Sequence, residues 1–431
     1  MPRRNIWILS VLTIICLACR VRTHRHEQVL TYAFAEVEER ALEKVNEEQL
    51  FEGALDGMMA TLGDPHSTYI NPKIVTEFNQ TLNPEFGGVG IEIVLDPETK
   101  QLMVASPLYG TPAFEAGIRP QDKILKINDK STQGLSLEDA SGLLKGKPGT
   151  PVELTVLHQG ETEPVKMEIV RKVIQVDTVL GDTRKPDGSW DFFLEGQDHI
   201  GHLRISTFSE KTGDEMQKAL RSLIESGAKG LVIDLRNNPG GLLTEAVRIC
   251  DMFLDSGVIV TTRNREGGIE RKFSAAGDPI CPKLPIAILV NNYSASASEI
   301  VAACLQDHDR AIVVGQRTYG KGTVQELINL PGNDGKLKLT VATYWRPSEK
   351  NINRRKDAGE NDQWGVTPNS GFTVKLEGKE LTDYIRWLRD FGVHRVSGRK
   401  PGGPSGNAKP RLQTEVDPQL KKAVEYLVSK V

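Results

Sequence analysis

Two short runs with almost no polar character, Gly230-Leu-Val-Ile-Asp-Leu235 and Pro285-Ile-Ala-Ile-Leu-Val290, do most to limit what this chain can become. A half-buried strand alternates apolar and polar residues, whereas a continuous apolar strand is covered on both faces and belongs inside a mostly parallel sheet. Each run feeds a turn and then a helical pattern. Arg236-Asn-Asn-Pro-Gly-Gly241 opens a helix over 242–254, and the stretch from Asn291 to Ser296 opens another that starts near Ala297 or Ser298. A strand at 200–205, a helix at 212–225, a buried strand at 311–315 and a long alternating strand through Leu337, Leu339, Val341, Thr343 and Trp345 extend the pattern. Strands that alternate with helices predict βαβ crossovers and an α/β core.

The remainder of the 431 residues exceeds what one core needs, and composition is that of an ordinary folded protein, 39% apolar and 26% charged. A net charge of −3 gives no electrostatic case for nucleic acid or for an anionic membrane surface. At the N-terminus Arg3 and Arg4 precede an apolar run, Ile6 to Ala18, which is short for a membrane span and suited to the apolar region of a signal peptide. Residues 1–26 are therefore expected to direct export, as a cleaved signal, a retained anchor or a lipoprotein signal with Cys19 as the lipidated residue. That implies a periplasmic or cell-envelope location. Cys250, Cys281 and Cys304 remain in the mature chain, an odd number without metal-ligand spacing, so small apolar core residues are the simplest reading and a bridged pair stays open.

Residues 27–83 read as a helical region in which Leu50, Phe51, Ala54, Leu55, Met58, Met59 and Leu62 form one stripe, ended by Gly63 and Asp64-Pro65. Over 84–173 the order is a glycine loop, a strand at 102–105, a short helix at 111–117, a strand and turn at 122–129, a helix at 135–144 and two alternating strands at 152–157 and 165–170. This segment resembles a PDZ domain. The resemblance implies that Gly87-Gly88-Val89-Gly90 binds a C-terminal carboxylate while the peptide adds as a strand. Residues 379–431 read as a C-terminal helical region with a Gly, Pro and Lys-rich linker at 397–409 and a last helix capped by Asp417 with Pro418 at its first position. The apolar stripe of that helix, Leu420, Ala423, Val424, Leu427 and Val428, needs a cover from its own core or from a second copy of the chain.

The chemistry concentrates in Asn291 to Gln325 of the predicted core, 174–378. A serine at the mouth of a helix is followed by N–H groups that have no helical acceptor and can face a developing oxyanion. Ser294, Ser296 and Ser298 share that position, and each is equally able to act as a helix cap. Lys321, between Gly320 and Gly322, is the candidate base. To act near neutral pH its pKa must fall from ~10.4 to about 7 or 8, which burial in a water-poor cleft supplies. An extended Gly320 to Glu326 would put Lys321, Thr323 and Gln325 on one face.

Residues 50–70, 86–175, 230–243, 290–325 and 364–369 together resemble the carboxyl-terminal processing peptidases, or tail-specific proteases, most specifically in Ser-Ala-Ser-Ala-Ser-Glu and Tyr-Gly-Lys-Gly-Thr-Val-Gln. The resemblance implies Ser296 as nucleophile, Lys321 as general base and Gln325 as the residue that orients it. It also implies an oxyanion hole from Ala297 with the Gly240-Gly241 turn, and an acidic support at Asp307. The implied fold is a crotonase-like (ClpP/crotonase-type) core with an inserted PDZ domain and N- and C-terminal helical regions. No metal or cofactor is called for, the partners implied are proteins or peptides with exposed C-termini, and a homodimer is compatible with the family. A Ser-His-Asp alternative through His308 would place the base about 18 Å from Ser296 along a straight helix. An adaptor built on an inactive core would have no use for serine, lysine and glutamine at matching positions.

Overall fold

The computed structural model describes residues 25–75, 85–96, 99–185, 187–359, 361–391 and 412–431. The expected export segment, apart from Arg25 and His26, and the linker at 397–409 lie outside the described residues. No helix among the described residues is long and apolar enough to cross a membrane. The chain divides into two compact units, Met1–Val75 with Gln325–Thr340, and Thr76–Val324 with Val341–Val431.

In the first unit, helices span Arg25–Arg40 and Glu47–Thr61, and the side chain of Asn46 caps the second by accepting the Gln49 N–H. Gly63, at φ +61°, closes that helix as its position predicts. A three-residue strand, Thr68–Ile70, pairs antiparallel with Lys336 to Lys338. This pair is too small to cover the expected apolar stripe. Only Met59 of the second helix is buried, while Met58 and Leu62 are each 51% exposed.

Two of the sheets in the second unit have cores of their own. Over residues 91–170 a six-stranded antiparallel sheet packs Leu102, Val104, Ile124, Ile127, Leu154 and Val156 against the short helices Pro112–Glu115 and Leu137–Leu144. Its edge strand, Ile91–Leu95, bonds only to Leu102–Pro107 among the described residues, which leaves a free edge for an added strand.

The α/β core is a five-stranded sheet of β1 (Val179–Leu180), β2 (Ile200–Ile205), β3 (Gly230–Asp234), β4 (Ile286–Val290) and β5 (Ile312–Gly315), in that spatial order. The pair β1 and β2 is antiparallel and the other three pairings are parallel. Helices α1 (Thr212–Glu225), α2 (Leu243–Asp251) and α3 (Ala297–Asp307) make the crossovers. When parallel neighbours follow one another in sequence, crossovers of one hand put every crossover helix on the same face. Accordingly Leu220, Ile249, Ile300 and Val301 share one cluster with Leu203, Leu231, Ile233 and Ile288.

The opposite face then needs a different cover. After α4 (Gly378–Phe391), the helices α5 (Gln413–Val416) and α6 (Pro418–Val428) supply it. Leu420, Ala423, Val424 and Leu427 of α6 pack on Ile200, Val232, Ala287, Leu289 and Val314. The cap is the expected one, with Asp417 accepting the N–H groups of Gln419 and Leu420 and Pro418 in the first turn. Cys250, Cys281 and Cys304 are buried free thiols.

Charge is also buried in this core. Nδ1 of His202 lies 3.1 Å from Asp182, and Nε2 lies 3.8 Å from Asp234. Burial opposes the imidazolium, but the two carboxylates outweigh it and hold the His202 pKa above 6.5. A raised folded-state pKa stabilises the fold fully below the unfolded value and loses that contribution as pH rises through the folded one. The urea midpoint should therefore fall from pH 6 towards pH 9, and His202→Gln should remove that part of the slope. An unchanged slope in the variant would mean His202 is not its source.

Candidate active site

The loop after β3 and the loop after β4 are stitched together by hydrogen bonds. Asn238, wholly buried, donates its side-chain amide to the Ile205 carbonyl and accepts the Gly240 N–H at 2.8 Å, while its backbone carbonyl receives the Ala295 N–H and the Ser298 hydroxyl, each at 3.0 Å. The Ser294 hydroxyl donates to the Leu235 carbonyl at 2.8 Å. Asn237, left-handed at φ +59°, exchanges two bonds with Asn291. Two of the three candidate serines thus tie the loop after β4 to the loop after β3, and neither is exposed.

Ser296 differs from both. It stands immediately before α3 at φ +54° and ψ −115°, a region that costs a non-glycine residue of order 1–3 kcal/mol and that persists only where surroundings enforce it. Gly240 is part of that enforcement, since a Cβ there would sit 2.7 Å from the Ser296 Cβ and 3.0 Å from the Ala297 nitrogen. With the Gly240 N–H given to Asn238, the N–H groups of Gly241 and Ala297 are the ones that donate to no protein acceptor among the described residues.

The feature missed from sequence is Glu299, wholly buried in the first turn of α3. Its Oε2 accepts the N–H of Ser296 at 2.9 Å and the N–H of Lys321 at 2.8 Å. Its Oε1 accepts the Thr318 hydroxyl at 2.5 Å and the Gly320 N–H at 2.6 Å. Ser296 and Lys321, distant in sequence, are held through their backbones on one carboxylate oxygen. Desolvation raises the Glu299 pKa against the four bonds that lower it, to about 7. The Ser-x-x-Glu spacing of a capping box was the available signal.

The lysine turn is shaped from behind. Gly320 is left-handed at φ +85°, Arg354 N–H donates to its carbonyl at 2.8 Å, and a Cβ at Gly322 would lie 2.1 Å from the Asn353 nitrogen. The flanking glycines are required by the 351–354 segment that packs on them. Because Gly320 turns the chain, the extended strand begins at Thr323 and not at Gly320, so the expected run from Lys321 is shorter than predicted. Gln325 falls in the first unit, where its amide donates to Thr340 at 3.1 Å. Asp307 closes α3 with its carboxylate on Arg346 and on the Ser348 N–H. His308, beside it at the end of α3, places Nε2 2.8 Å from the Val258 carbonyl, at the opposite end of the helix from Ser296.

In a separate two-stranded sheet, Gly87 and Gly88 pair with Val173 and Lys172. Gly87 and Gly90 have no room for a side chain, with the Gly146 carbonyl 2.1 Å from a Cβ on the first and Thr111 2.3 Å from one on the second. Val89 is buried and its carbonyl accepts the Ala113 N–H. Gly90 then leads into the free edge strand.

Comparison with known proteins agrees with this architecture. The profile of peptidase family S41 matches residues 199–370, a PDZ domain profile matches 103–157, and that of the N-terminal domain of the activating protease CtpB matches 21–74. A carboxy-terminal-processing protease of Bartonella bacilliformis is 37% identical over 79% of this chain and 76% of its own length. The carboxy-terminal processing protease CtpA of Bacillus subtilis is 34% identical over 92% and 89%. A solved S41 protease structure from Bacteroides fragilis shares the fold at 17% identity, with a TM-score of 0.51 over 93% of this chain and 97% of that one. The chain is thus a PDZ-containing serine peptidase of family S41. Within that family it belongs to the carboxy-terminal-processing proteases.

Proposed function

We propose that this chain is an endopeptidase that uses a Ser296–Lys321 dyad to cleave proteins selected by their C-terminal tails. The observation that carries the reading is the shared Glu299 oxygen, which brings the backbones of Ser296 and Lys321 to one point beside the Gly240-Gly241 turn. Neutral Lys321 takes the Ser296 proton as the hydroxyl attacks the scissile carbonyl, then protonates the leaving amine, and the same base activates the water that hydrolyses the acyl-enzyme. The N–H groups of Gly241 and Ala297 receive the oxyanion, each worth ~3 kcal/mol, and Gly240 contributes space by lacking a side chain. Gln325 orients Lys321, and Asp307 supports the site indirectly by fixing the end of α3 through Arg346. Gly87 to Gly90 receive the tail carboxylate while the tail extends the edge strand Ile91–Leu95. The core is of the crotonase-like type. Action in the cell envelope, with attachment through the N-terminus, follows from the apolar run Ile6 to Ala18. The exposed apolar residues of the first unit, such as Tyr32 and Met58, suit a homodimer.

The test uses the full chain and an unfolded reporter with an apolar C-terminus, offered with a free carboxylate and as the C-terminal amide. Preferential cleavage of the free-carboxylate form, by about tenfold or more from the effective concentration the PDZ site adds, is expected. Equal cleavage would remove tail selection from the reading, and cleavage of neither would remove the protease.

A further inference from the structure

Behind the glycine turn lies a buried ionic cluster that the dyad chemistry does not use. Arg236 is the first residue of that turn and is 3% exposed; Asp234, Asp417 and Gln419 are not exposed at all. Asp234 accepts the Arg236 backbone N–H and Nε at 3.0 Å each and Nη2 at 2.7 Å. The remaining nitrogen, Nη1, reaches α6, with Asp417 at 2.8 Å and the Gln419 side-chain oxygen at 3.1 Å. The amide of Gln419 donates in turn to the Val374 carbonyl at 2.8 Å, and the Val374 N–H bonds to Gly315 at the end of β5. The N-terminal end of α6 therefore bonds under the carboxyl ends of both β3 and β5. From those ends depart the oxyanion turn and the loop to Lys321.

We infer that Asp417 is a positioning residue for the oxyanion turn, so that the cap and first turn of α6 serve the site while the apolar stripe of the helix serves the core. Covering the sheet requires only the apolar stripe of α6, and a neutral cap such as asparagine would start the helix as well. A carboxylate wholly removed from water costs free energy unless it is paired, and here the partner is the residue that opens the turn. The path from there is short. Asn238, two residues on, sets Gly240, and Gly241 follows with the N–H that faces the oxyanion. With one carboxylate neutralised, Arg236 is drawn to Asp234 alone, and the start of the turn loses the anchor on its other side.

The inference rests on the Ser-Lys reading, and the experiment separates the two. A peptide boronic acid bonds to the serine hydroxyl and places an oxygen in the oxyanion hole, whereas a product peptide of the same sequence binds without using it. Asp417→Asn keeps the helix cap and removes the charge. It is expected to lower kcat and boronate affinity together by about tenfold, as breaking one side of a buried ion pair implies, with KM and product-peptide affinity within about twofold. Val424→Ala, which thins the packing of α6 without touching the cluster, should leave both constants per folded molecule unchanged. Should Asp417→Asn not fold, Gln419→Met decides, with a loss of a few-fold in kcat and boronate affinity expected from the neutral bond to Arg236. Unchanged boronate affinity in the folded variant that is measured, or an equal loss in Val424→Ala, would overturn the assignment. A wild-type enzyme that cleaves its substrate but does not take the boronate would instead count against the serine dyad.

Discussion

Ser296→Ala and Lys321→Ala are each expected to lower kcat by roughly 10⁴- to 10⁶-fold, because nucleophile and base act as a unit and removing either forfeits nearly the whole covalent route. The double variant should be no worse than the weaker single one, which is the signature of a shared step. Substrate binding should survive in all three, since neither substitution touches the edge strand proposed to take the tail, so KM changes little while kcat collapses. The measurement is single-turnover cleavage of an unfolded substrate by proteins of unchanged thermal stability. Additive losses, or activity retained by either purified variant, would exclude a dyad. Lys321→Arg is an informative companion: it keeps the charge and length but cannot become neutral near pH 7, and it should be as inactive as the alanine variant.

Glu299→Gln is expected to cost about 10²- to 10³-fold in kcat, a large effect for a residue that touches no substrate. Both carboxylate oxygens face two donors each. In the amide one of those positions becomes an NH2 group, so a donor faces two donors whichever way the side chain is flipped. Either the Ser296 and Lys321 N–H groups or the Thr318 and Gly320 groups must then move, at a cost comparable to several unmade buried bonds. Thr318 cannot simply turn away, because its oxygen also accepts the Val366 N–H at 2.7 Å. The acid form of Glu299 carries the same fault in milder form. With a pKa raised to about 7 by burial, it is a full four-bond acceptor only above that value. Activity should accordingly rise as pH increases through 7, in the same direction as deprotonation of Lys321 requires. Glu299→Gln should flatten this part of the profile. A wild-type optimum near pH 5 would contradict both.

Much of the core was legible because burial on two faces leaves a mark on sequence. The strands at 230–234, 286–290 and 312–315, helix 212–225 and the Asp417–Pro418 cap fall where apolar runs and capping chemistry put them. What stayed hidden were contacts made by residues far apart. Arg236 reads as the start of a turn and Asp417 as a helix cap, and only the fold shows that they pair with one another inside it. Gly322 reads as freedom for the lysine, but its need comes from the nitrogen of Asn353 pressed against it. The apolar residues from Leu50 to Leu62 recur at helical spacing, but only Met59 of them is buried, because periodicity says nothing about how much neighbour is available to cover a stripe. Among Ser294, Ser296 and Ser298, propensity gives three equal caps, and the choice is made by the carbonyls of Leu235 and Asn238, which occupy two of them.

The placement of α6 also has a consequence in time. Residues 418–428 close one face of a sheet whose strands end at Gly315, and they emerge from the ribosome only after about a hundred further residues have been added, several seconds later at the usual 5–20 residues per second. Until then Arg236 has no Asp417 to pair with. The apolar sheet face that α6 covers, lined by Ile200, Val232, Ala287 and Leu289, therefore stays open until synthesis is nearly over.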